Sequence, residues 1–152
     1  MPHASAWAVS CVIGNELLIA GGNIKSLQIY DIVARTWRLG SMFPKPTPLW
    51  RSGSDLCGLA VDGKFFVVCL RYYLSMSVYD PMSDKWTVEM LPRFPWYHDL
   101  SGDINHACVH NGRLVFFRLR GVFERATDGS WSSSKVRDRY GKYFVAESVL
   151  LG

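Results

Sequence analysis

Three times along the chain, two short apolar runs flank a tight turn that contains glycine. The copies are Val12-Ile13-Gly14-Asn15-Glu16-Leu17-Leu18-Ile19-Ala20, Val61-Asp62-Gly63-Lys64-Phe65-Phe66-Val67-Val68 and Val109-His110-Asn111-Gly112-Arg113-Leu114-Val115-Phe116-Phe117. Asp-Gly and Asn-Gly adopt the positive-φ geometry of two-residue turns, so each copy predicts a β-hairpin. Gly14, Gly63 and Gly112 stand 49 positions apart.

Other features move by the same interval. Tyr30-Asp31 and Trp37 return as Tyr79-Asp80 and Trp86, with six residues between Tyr and Trp in both copies, and Ser52-Gly53 returns as Ser101-Gly102. Met42-Phe43-Pro44-Lys45 resembles Met90-Leu91-Pro92-Arg93. One period reads as strands over Ala8 to Ile13, Glu16 to Ala20, Ser26 to Asp31 and Thr36 to Leu39, followed by a long connection. Four short strands per period predict one blade of a β-propeller. Tyr on the third strand and Trp on the fourth flank a turn, where they can pack as a cross-strand pair and fill the wedge between blades. Tyr30, Trp37, Tyr79, Trp86 and Trp131 are therefore expected in the core.

The third copy is degenerate. Trp131 follows Trp86 by 45 positions, and the third strand, Gly121 to Arg125, offers Phe123 where Tyr is expected. The expected fold is all-β, a partial propeller of three four-stranded antiparallel blades over 5–40, 55–89 and 105–133. Residues 140–152 add an extra strand or the start of a next blade.

Composition narrows the class. The chain is 152 residues long, 49% hydrophobic and 20% charged, with six Trp, seven Tyr and eight Phe, an ordinary globular mixture enriched in strand formers. The longest apolar run, Phe65 to Leu70, is far short of the ~20 residues a membrane helix needs. No basic leader precedes the first apolar stretch and Glu16 interrupts it, so a cytoplasmic or nuclear protein is expected, without a membrane partner. Cys11, Cys57, Cys69 and Cys108 lack metal-ligand spacing and are expected as buried, reduced thiols. The formal charge is +4. Basic residues crowd the last third (Arg113, Arg118, Arg120, Arg125, Lys135, Arg137, Arg139, Lys142), but Glu124, Asp128 and Asp138 interrupt them, which reads as a solvated face. No basic stripe is interleaved with stacking aromatics, so nucleic acid is not an expected partner.

The hairpin, the diglycine and the Tyr-x6-Trp spacing together resemble the kelch repeat family. The first copy carries the fullest match, Asn15 to Gly22 with Tyr30-Asp31 and Trp37. The second keeps Tyr79, Asp80 and Trp86 but has Cys69-Leu70 in place of the paired glycines, and the third keeps its hairpin and Trp131. The Pro-rich connections with Asp-Pro turns look like those of plant F-box/kelch proteins. That resemblance implies a protein-interaction module, the substrate-recognition propeller of a ubiquitin ligase adaptor. Cullin-type ligase components would be partners only through an F-box outside this chain, since none is visible in it. Three blades cannot close a ring, so the chain is expected to be part of a longer protein, a truncated relic, or an associating chain.

Residues that recur at the period serve the fold, while loop residues that break it are free for recognition. In kelch propellers the connections between blades and the loops between second and third strands share one face. In the connections Trp50, Arg51, Arg93, Trp96, Tyr97 and His98 stand out, and in the loops Arg71, Tyr72, Tyr73, Arg118 and Arg120. Trp, Tyr and Arg dominate interfaces, and several guanidiniums on one rim suit an acidic peptide.

Some kelch-like propellers are enzymes, metal-dependent oxidases or specifier proteins, so that class stays as an alternative. His106 and His110 share a strand face but lie about 13 Å apart, too far for one ion. Thr127-Asp128-Gly129-Ser130-Trp131 is similar to the Asp-box of sialidases yet has Ala126 where Ser is required, and reads as a turn. No nucleophile elbow, phosphate loop or zinc pair is present. No cofactor and no catalysis are expected.

Overall fold

The computed structural model describes residues 2–3, 6–22, 24–44, 56–69, 75–91, 104–118 and 121–135, with backbone alone at 104–105, 118 and 134–135. The run at 140–152 lies outside these residues. Among the described residues the regular elements are strands alone. Blade 1 holds β1 (Val9–Ile13), β2 (Glu16–Ala20), β3 (Ser26–Asp31) and β4 (Thr36–Met42). Blade 2 holds β5 (Leu56–Val61), β6 (Lys64–Cys69), β7 (Ser75–Asp80) and β8 (Lys85–Met90). Blade 3 holds β9 (Ile104–His110), β10 (Arg113–Arg118), β11 (Gly121–Arg125) and β12 (Trp131–Lys135). Each blade is a four-stranded antiparallel meander in sequence order. The chain is all-β, a partial β-propeller.

Period-two alternation sends successive side chains of a strand to opposite neighbours. Blade 1 turns Leu18, Ala20, Leu27 and Ile29 toward Phe65, Val67 and Tyr79 of blade 2, with Phe43 in the same buried cluster. Blade 2 turns Phe66, Val68, Met76 and Val78 the other way, onto Ala107, Leu114, Phe116 and Phe123 of blade 3. The middle blade is thus buried on both faces, and every residue of β6 after Lys64 is buried. The Tyr and Trp of the first two periods pair across strands as expected, Tyr30 on Trp37 at 4.9 Å and Tyr79 on Trp86 at 5.1 Å between ring centroids. Of the five aromatics expected in the core, Tyr79 alone is fully buried; Trp86 and Trp131 are half-buried against the core, and Tyr30 and Trp37 are half-buried on the side of blade 1 turned away from blade 2, where the described residues include no further blade to cover them. Trp86 also meets Phe43 of the preceding blade edge-on at 4.8 Å, which closes the wedge.

The register corrects two expectations. The second and third hairpins place glycine second in the turn, with Asp62, Gly63, Asn111 and Gly112 all at positive φ. The first places it first: Ile13 pairs with Glu16 around Gly14 (φ 56) and Asn15. The second and third turns need positive φ at both central residues and the first only at its first, where glycine sits, so matching glycine to glycine slips the first hairpin by one residue. Glu16, not Asn15, is the counterpart of Lys64, and the hairpin interval between blades 1 and 2 is 48.

In blade 3, Trp131 pairs with Arg125, and Phe123 pairs with Ser133. Arg125, not Phe123, therefore stands where Tyr30 and Tyr79 stand. Phe123 is the counterpart of Ser77 and Gln28, two residues earlier on the third strand.

Candidate partner-binding face

In an antiparallel meander the ends of the second and fourth strands and the start of the third come to one edge of the sheet. Ala20, Cys69 and Arg118 end second strands, Ser26, Ser75 and Gly121 begin third strands, and Met42 and Met90 end fourth strands. All the sequence candidates lie between such ends. Trp50, Arg51, Arg71, Tyr72, Tyr73, Arg93, Trp96, Tyr97, His98 and Arg120 fall outside the described residues, and Arg118 is described as the last residue of β10 by its backbone.

What is described at this edge begins with the diglycine. Gly21 and Gly22 both have positive φ, and a Cβ on Gly22 would collide with the backbone oxygen of Ala6. The missing side chain lets residues 6–8 cross directly over the start of the β2–β3 loop. Upstream, His3 is held by the side chain of Gln28: the His3 N–H donates to Oε1 at 2.9 Å and Nε2 donates to the His3 carbonyl at 3.1 Å. Gln28 is fully buried, and its amide is satisfied by this reciprocal pair.

This crossing presents Trp7. Its φ is 58, a conformation a bulky side chain rarely takes, and the residue is 63% exposed. Met42 and Met90, at equivalent ends of β4 and β8, are likewise exposed. Sequence reasoning missed all three. The signal for Trp7 was present: the tryptophans outside the repeat, Trp7, Trp50 and Trp96, each precede the inner strand of a blade, by two, six and eight residues.

The opposite edge is built of turns. Asp31 Oδ1 accepts from Val33 and Ala34, Asp80 Oδ1 accepts from Met82, and Asp128 Oδ1 accepts from Ser130. The Asp-box-like stretch is thus a hairpin turn closed by Ala126 and Ser130, and the Ser130 hydrogen bonds hold the Asp128 carboxyl below its usual range.

Among the described residues no group of three or more His, Cys, Asp or Glu could hold a metal ion. All four cysteines are free thiols; Cys69 is buried and the other three are half-buried. Burial pushes Cys11 up to about 12 and raises Cys57 and Cys108, which disfavours the nucleophilic thiolate at neutral pH. Among the described residues no helix is long and apolar enough to cross a membrane.

Three stacked four-stranded meanders with an inner-to-outer strand order define a propeller fold, and comparison with known proteins agrees at that level. The chain is similar to the solved structure of YjhT, a kelch-type β-propeller protein, with a TM-score of 0.66 at 13% identity over 93% of this chain. It spans 54% of the YjhT chain, about half its length. No family model and no curated protein matches the sequence.

Proposed function

We propose that this chain is a non-catalytic protein-interaction module whose loop edge, the one carrying Trp7, holds a partner. The observation that carries the reading is Trp7 itself, a strained and exposed residue lifted over the diglycine at the edge where the second and fourth strands end. Strain held in a bulky residue costs about 1–3 kcal/mol and points to use of the side chain. Tryptophan is the residue most enriched at the energetic centre of interfaces. Arg71 and Arg120, which the sequence assigns to the connections between second and third strands, would add guanidiniums suited to a carboxylate-bearing peptide through bidentate hydrogen bonds. The finer role, target recognition within an F-box/kelch ubiquitin ligase, rests on the kelch-like repeat.

Peptide display against the purified chain tests the module. Selected sequences should be acidic, and Trp7→Ala or the pair Arg71→Ala with Arg120→Ala should weaken them tenfold or more at an unchanged melting temperature. Affinities that ignore both changes would remove this edge as the site. Genomic sequence flanking the reading frame tests the ligase role, which requires an F-box in the same polypeptide.

A further inference from the structure

One position of the repeat holds a residue that the blade itself does not require. Gln28 of β3 corresponds in register to Ser77 of β7 and Phe123 of β11. The Ser77 hydroxyl is buried without a hydrogen-bond partner, and phenylalanine has no polar side-chain atom, so a blade forms without an amide at this place. Gln28 is nonetheless fully buried, and its amide binds a segment 25 residues earlier in the chain, accepting from the His3 N–H and donating to the His3 carbonyl. Both bonds go to backbone, so they fix a point of the chain whatever side chain stands at position 3.

That point lies four residues before Trp7. Four residues span about 14 Å at full extension, so anchoring His3 confines Trp7 from upstream. Downstream, Val9 is paired with Ala20, two residues on. Beneath, Gly22 admits the backbone of residues 6–8 where any Cβ would collide with the Ala6 oxygen. A bulky residue at a φ of 58 returns to the ordinary regions of backbone conformation unless its flanks are fixed, and here they are fixed on every side.

We propose that Gln28 is a positioning residue for the partner site: through the His3 backbone it holds Trp7 in its exposed pose before a partner arrives. The inference rests on the reading of Trp7 as the anchor of that site. Gln28 is buried and acts only through the chain it clamps. Holding the pose in advance removes an ordering cost from binding. With the clamp cut, only the fraction of chains that keep the pose can bind, and the apparent affinity falls by that fraction.

Two variants cut the clamp from opposite sides. Gln28→Met keeps the length of the side chain without its amide, and deletion of residues 2–5 removes the His3 backbone while leaving Gln28 in place. Each is labelled with fluorotryptophan, and the Trp7 fluorine signal is assigned by its loss in Trp7→Phe. In both variants that signal should narrow and move toward the position of the free amino acid, while the signals of the other tryptophans stay in place and report an intact fold. A fluorescein-labelled acidic peptide from the display selection should bind both variants about three- to tenfold more weakly. Adding Gln28→Met to Trp7→Ala should weaken it no further. An unmoved Trp7 signal, or unchanged affinity of both variants where Trp7→Ala weakens binding, overturns the positioning role and leaves the partner site standing. Equal weakening by Gln28→Met with and without Trp7 overturns it too, because the loss then arises in the blade. A peptide indifferent to Trp7→Ala removes the partner site itself, and the positioning role with it.

Discussion

Arg125 of β11 reaches back to Glu89 of β8 in the preceding blade, donating from Nε to Oε2 at 3.1 Å and from Nη2 to Oε1 at 3.0 Å. Its guanidinium also lies over the ring of Phe66, 5.4 Å from the centroid. The position that Tyr fills in the first two blades is thus filled here by a cation that binds the neighbouring blade directly. Arg125→Ala should cost about 1–2 kcal/mol in urea unfolding, since a two-point charged hydrogen bond and a cation–π contact are lost from a mostly buried guanidinium. Arg125→Lys should recover only a small part, because an ammonium cannot make the planar two-point contact. A double-mutant cycle with Glu89→Ala checks it, and a coupling energy near zero would show the pair to be ornamental.

The corresponding tie between blades 1 and 2 is a shared carboxylate. Asp84 Oδ1 accepts from the Tyr79 hydroxyl at 2.7 Å and from the Ser41 N–H of blade 1 at 3.0 Å. These bonds, Tyr79 first, lower the Asp84 pKa, so the unfolded chain takes up this proton more readily than the folded one. The stability it confers is present above the unfolded carboxylate value of about 3.9 and is lost as pH falls through the lower folded value. Tyr79 is raised, chiefly by burial, so stability declines as pH climbs past about 10 and the unfolded phenol ionises first. Melting temperature against pH for Tyr79→Phe should show both slopes reduced.

Two glycines at positive φ offer a direct contrast. Gly63→Ala has open space around its Cβ and should cost about 1 kcal/mol for the backbone conformation alone. Gly22→Ala meets the backbone of residues 6–8 as well and should cost clearly more, displacing the segment that carries Trp7. Thermal melts rank the two, and equal losses would mean that the crossing segment yields freely.

Gln28→Leu keeps the bulk of a buried side chain but leaves the His3 N–H and C=O without their partners. A loss of about 1–2 kcal/mol is expected, with faster proteolysis within the first eight residues as the local sign. An unaltered digestion pattern would count against the clamp.

The repeat made most of the fold readable. Strands over Glu16 to Ala20, Ser26 to Asp31 and Gly121 to Arg125 match the structure at both ends, because hydrophobic alternation and turn dipeptides agree there. Errors arose where one chemical requirement has two solutions. A two-residue turn accepts glycine first or second, and spacing cannot tell them apart, so matching Gly14 to Gly63 puts the first hairpin one residue out. A wedge between blades can be filled by a phenol or by a guanidinium folded over Phe66, and matching by aromatic character selects Phe123 where the register places Arg125. For the site, Trp7 sits before the first copy, where the sequence offers no earlier period for comparison. Its exposure depends on the diglycine and on a Gln28 contact 25 residues away along the chain, neither of which a local pattern encodes.

Burial of the middle blade from both sides governs the order in which the structure comes apart. Each sheet leans only on its neighbours, so opening can start at β1–β4 or β9–β12 with one interface lost, while β6 and β7 exchange their amide hydrogens only after an interface has gone. The slowest-exchanging amides should therefore map to Phe65–Val68 and Met76–Tyr79, making blade 2 the last structure to melt.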